Sequence, residues 1–152
     1  MMYLITAFMG GLLTKVGDES KGLSEYPLGT LYGLFIALSV YLNPTLSSLV
    51  AGITLGNLLM GKVDAAVHWV ALLPIGAAVL LWPPDLFILP FFLAAFLDEW
   101  FHERSKGILS QRVLCPLAAL FFLPVEISYL LAILSFDGGY RLSEWFLNLR
   151  QP

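Results

Sequence analysis

Residues 63–82 read VDAAVHWVALLPIGAAVLLW. After Asp64 the stretch holds one ionisable group, His68. Twenty residues at about 1.5 Å each make roughly 30 Å of helix, the thickness of a bilayer's hydrocarbon core. The stretch therefore reads as a membrane-spanning helix, with a kink at Pro74.

Working outward from it, the other apolar runs fall into five segments, residues 1–16, 28–42, 45–61, 86–103 and 113–136. Asn43-Pro44 and Pro83-Pro84-Asp85 supply turn chemistry between neighbours. The last segment carries Pro116 and Pro124. The reading is an all-α, polytopic integral membrane bundle of about six transmembrane helices; a shallow hairpin over residues 28–61 makes it five. In the tail, Leu142, Trp145, Phe146 and Leu149 share one helical face. They predict a short amphipathic helix lying in the interface. The chain thus reads as one integral membrane domain, with a bundle over 1–136 and a tail over 137–152.

Composition supports this class. Of 152 residues, 59% are hydrophobic and 12% charged. A soluble domain carries about 25% charged residues. The mean hydropathy is +0.82. A net charge of −3 leaves no basic surface for nucleic acid. Cys115 is the single cysteine, which excludes an intrachain disulfide. The N-terminus lacks a basic leader and reads as a first helix rather than a cleaved signal. Lys15, Lys21, Lys62, Arg104, Lys106 and Arg112 all fall in alternate loops. The positive-inside rule places those loops in the cytoplasm and both termini outside, with the chain integral to the plasma membrane. Gly29-x-x-x-Gly33 and Gly52-x-x-x-Gly56 have the spacing at which helix backbones approach closely.

The chemistry centres on two matching pairs. His68 follows Asp64 by four residues, and His102 follows Asp98 by four. Residues four apart share a helix face. If residues 63–82 and 86–103 form an antiparallel hairpin, Asp64, His68, Asp98 and His102 converge near the cytoplasmic headgroup level. Mixed imidazole and carboxylate ligands suit Zn²⁺, Mn²⁺ or Fe²⁺ better than Mg²⁺ alone. Glu99 and Glu103 are candidate general bases beside such an ion. Glu126, in the last segment, is a candidate proton-relay carboxyl. Lys15, Lys21, Arg104 and Lys106 are candidates to hold a phosphate. Asp18 and Glu19 are possible additions to the metal shell, and Asn57 is a candidate interhelical hydrogen bonder.

The expected function is a metal-dependent enzyme, a hydrolase or transferase, acting on an amphipathic lipid or isoprenoid entering from membrane lipid. One alternative is a divalent-cation or proton transporter or channel, for which a homodimer would enclose the path. The other is a structural or partner-binding membrane subunit. Phosphate-loop, nucleophile-elbow, zinc-protease and calcium-loop motifs are absent from the sequence.

Overall fold

The computed structural model describes residues 1–106 and 111–148. They form seven α-helices: α1 (Met2–Asp18), α2 (Glu25–Leu42), α3 (Leu46–Leu59), α4 (Ala66–Leu81), α5 (Ile88–Arg104), α6 (Leu114–Phe121) and α7 (Ile127–Asn148). A 3₁₀ turn, Gly22–Ser24, leads into α2.

The all-α expectation holds; the membrane-spanning one does not. No helix of the described residues is long and apolar enough to cross a membrane. The stretch at 63–82 loses its first three residues to a non-helical lead-in, and α4 is only 16 residues, about 24 Å. Helix α3 has 14 residues, about 21 Å. The segment expected over 113–136 is broken around Pro124 into α6 and α7. Helix α7 has 22 residues, but Asp137, Arg141 and Glu144 interrupt its apolar run. The expected six spans therefore do not form, and the plasma-membrane placement and its inside–outside assignment fall with them. The tail is no separate interfacial helix either: up to Asn148 it continues α7. Leu149 lies outside the described residues.

Small residues decide which helices meet. A methyl group on Gly11 would strike the Phe136 carbonyl, and one on Gly139 the Phe8 carbonyl, so α1 and α7 lie backbone to backbone. On α2, Gly29 abuts the Val67 carbonyl, and a methyl on Gly33 would sit 2.6 Å from the Ala71 oxygen. On α3, methyls on Gly52 and Gly56 would lie 2.8 Å from Ile88 O and 2.7 Å from Ala95 Cβ of α5. Both glycine spacings thus mark helix contacts, as expected. They pair α2 with α4 and α3 with α5, whereas a hairpin of α4 and α5 was expected. Helix α1 packs on both α2 and α7, and α6 joins α5 to α7.

Polar clasps add direction. Thr6 and Ser39 hydroxyls meet at 2.8 Å between α1 and α2. The Ser47 hydroxyl donates to the Trp82 carbonyl. The Ser48 hydroxyl donates to Asp85 at 2.6 Å and accepts from its backbone N–H at 2.9 Å. These bonds pin the α4–α5 turn to the start of α3.

The main apolar core gathers Val40, Leu46, Leu49, Phe91, Ala119 and Tyr129. Tyr129 is fully buried, with Phe91 edge-on at 4.9 Å between ring centroids. Its hydroxyl has no hydrogen-bond partner among the described residues. Burial, then Asp85 and Glu126, push this phenol up to about 12. An unpaired buried hydroxyl costs about 1–3 kcal/mol. Tyr129→Phe is therefore expected to raise stability by about 1 kcal/mol in urea denaturation. A loss of that size would show that the hydroxyl is satisfied in solution.

Candidate active site

A cavity of about 870 Å³ is lined by all seven helices and by the segment leading into α6. Aliphatic side chains such as Ile36, Val50, Ile53, Leu72 and Ile133 share its walls with many polar and charged ones. Two polar clusters are each connected by side-chain contacts.

The first group is built around His68. Gly17 and Gly29 both press on Val67: a methyl on Gly17 would sit 2.8 Å from Val67 Cγ2, and Gly29 abuts its carbonyl. The next residue, His68, lies in the first turn of α4. Close packing at Val67 therefore delivers Asp18, the last residue of α1, and Tyr32 of α2 to the imidazole. The Tyr32 hydroxyl lies 3.0 Å from His68 Nδ1. Asp18 Oδ1 lies 3.5 Å from His68 Nε2. The Tyr140 hydroxyl of α7 donates to Asp18 Oδ2 at 3.1 Å. A neutral imidazole with its proton on Nε2 suits both neighbours.

Burial sets the electrostatics here. It raises the Asp18 carboxyl above its ordinary value; His68, the Tyr140 hydrogen bond and Lys15 pull the other way, and Glu19 adds to the rise. The Tyr32 and Tyr140 phenols are both held well above their ordinary value, by burial first and by the Asp18 charge second. Both phenols therefore stay protonated across the neutral range.

The second group centres on Glu99, whose side chain is 7% exposed. Arg112 forks onto it, Nε to Oε1 at 2.8 Å and Nη2 to Oε2 at 3.0 Å. Lys62 Nζ lies 3.9 Å from Glu99 and 2.8 Å from Glu103. The Lys62 hydrogen bond, then its charge, hold the Glu103 carboxyl below its ordinary range. Arg112 has φ +55°, a left-handed conformation rare for a side chain of its size.

The expected metal cluster does not assemble. Among the described residues, no group of three or more His, Cys, Asp or Glu side chains could hold a metal ion. Asp64 is exposed and precedes α4, so it shares no helix face with His68. Asp98 is buried, but its carboxylate is consumed by capping α6: it accepts the backbone N–H groups of Leu114 at 2.7 Å and Cys115 at 2.8 Å. His102 lines the cavity, on α5. The two histidines sit on helices that pack on different partners. The expected metal-dependent lipid enzyme loses its centre. The transporter loses its ion site and its spans, and the membrane-subunit reading loses its spans.

The remaining candidates disperse. Glu126 caps the start of α7, accepting Ser128 N–H at 3.0 Å and its hydroxyl at 2.6 Å, and does not line the cavity. Lys15 pairs with Glu19 at 3.0 Å and lies 5.6 Å above the Tyr140 ring. Arg104 stacks on Trp100 at 4.8 Å. Lys21 and Lys106 are exposed. These four cations form no common anion site. Asn57 lines the cavity, and the Cys115 thiol is raised, by burial first and Asp98 second.

Tyr32, Tyr140 and Arg112 are the residues that sequence reasoning missed as site members. Nothing in their spacing relative to His68 or Glu99 announces them, because each arrives from a different helix or loop. Comparisons with family models, with curated proteins and with solved structures gave no match.

Proposed function

We propose that the chain binds a small, mainly apolar molecule in this cavity and performs general acid–base chemistry on its polar end. The carrying observation is the His68 ring, bracketed by the Tyr32 hydroxyl at Nδ1 and the Asp18 carboxylate at Nε2. A cavity of about 870 Å³ suits a small ligand. The bracketing follows the logic of an oriented base.

A proton moves without a phenolate forming. The ligand gives its proton to the Tyr32 oxygen while the Tyr32 O–H bond breaks and Nδ1–H forms. The imidazolium so produced faces Asp18, which stabilises it. Burial opposes a free phenolate at Tyr32, so the two transfers are coupled. The reverse sequence protonates the ligand. Positioned proton transfer of this kind contributes about 10²–10⁴ in rate.

Histidine ¹⁵N NMR tests this, with His102 as the internal reference and His68→Gln for assignment. At neutral pH, His68 is expected to hold its proton on Nε2, and 1-octanol is expected to perturb its signals saturably. Tyr32→Phe is expected to release the tautomer towards Nδ1–H. An even tautomer mixture that Tyr32→Phe leaves unchanged would overturn the relay.

A further inference from the structure

We infer that the polar end of the ligand is a cation, an organic ammonium seated at Asp18; this rests on the cavity reading above and names the ligand's class. The inference comes from a charge census of the cavity wall. Asp98 is satisfied by two backbone N–H groups. Glu99 has the Arg112 fork, Asp137 has Arg141 Nε at 2.7 Å, and Glu144 has Lys15 at 4.0 Å. Among the described residues, Asp18 alone of these has neither a lysine or arginine within 4.0 Å nor a backbone N–H donor; its partners are the His68 imidazole at 3.5 Å and the Tyr140 hydroxyl at 3.1 Å. Glu19 nearby adds a further negative charge, and Lys15 is already held between Glu19 and Glu144.

Asp18 meets the cavity with its side chain 28% exposed and no lysine or arginine held against it, so a cation arriving in the cavity finds a carboxylate able to take a charge-assisted hydrogen bond. The surroundings also suit an ammonium rather than a bare ion. The Tyr140 hydroxyl oxygen, beside Asp18, can accept an N–H donor. Lys15 already places one ammonium over the Tyr140 ring. Aliphatic side chains beyond them take an alkyl body.

Calorimetry with n-octylammonium, 1-octanol and octanoate reads the class directly, with the His68 NMR signals reporting where each binds. Octylammonium is expected to bind one to one, about tenfold more tightly than octanol, as a charge-assisted hydrogen bond implies. Octanoate is expected to bind most weakly. Asp18→Asn should bring the octylammonium-to-octanol affinity ratio down to about one. Tyr140→Phe, which keeps the charge and loses an acceptor, should lower that ratio severalfold; it serves if Asp18→Asn does not fold. Equal binding of octylammonium and octanol at His68 overturns the cation and leaves the cavity reading standing. So does tighter binding of octanoate, or a preference that survives either variant. Octanol that never perturbs His68 overturns the cavity reading itself, and the cation with it.

Discussion

Gly29→Ala is expected to destabilise the protein by about 3 kcal/mol, at the upper end of what overpacking costs. The added methyl points at the Val67 carbonyl. A helical backbone carbonyl cannot swing aside as a side-chain tip can, so α2 and α4 must separate. The displacement falls one residue from His68 and carries Tyr32 with α2. The Tyr32–His68 contact should therefore open, and the His68 tautomer should relax in the same variant. Gly76→Ala provides the opposite expectation. Gly76 lies within α4, and a methyl there meets nothing within 4 Å. Replacing glycine by alanine in an open helical position stabilises by about 0.5–1 kcal/mol, through backbone entropy. Urea denaturation of both variants separates steric contact from helix propensity. If the two changes have the same sign, close backbone approach is not what holds α2 to α4.

The same glycines explain how far the fold was legible. Punctuation was: Asn43-Pro44 follows the end of α2 at Leu42, and Pro83-Pro84-Asp85 follows α4 by one residue. The glycine pairs on α2 and α3 were recognised as contact points. Their partners were not, because a glycine notch does not say which ridge enters it. Nor did the hydropathy pattern separate inside from outside. Inward positions hold small residues such as Gly29, Gly33, Ala71 and Ala95, while outward ones hold Leu73, Leu80 and Leu93. Helices apolar on both faces yield unbroken runs, and such runs read as membrane spans. The site suffered from a related ambiguity. Asp64 and Asp98 each precede a histidine by four residues, yet one lies before a helix and the other caps a different helix. The sequence reading assigns His68 to a metal shell with Asp64; in the structure Asp18, Tyr32 and Tyr140 gather around it from three helices. Packing at Val67 and the close α1–α7 contact at Gly11 and Gly139 bring them together.

Arg112→Ala should cost about 3 kcal/mol, because it leaves the buried Glu99 carboxylate with Lys62, at 3.9 Å, as the one lysine or arginine within 4.0 Å among the described residues. The backbone at this position makes a separate contribution. Arg112 has φ +55°, and a left-handed residue bearing a Cβ costs about 1–2 kcal/mol. Arg112→Gly removes the same ion pair but relieves that conformation, so it should be about 1 kcal/mol more stable than Arg112→Ala. A difference of the opposite sign would show that the backbone there is unstrained. Adding Glu99→Leu to Arg112→Ala removes the stranded charge, and most of the lost stability should return at neutral pH. If the double variant is as unstable as Arg112→Ala alone, the Arg112 side chain supports the approach to α6 by packing rather than by its charge.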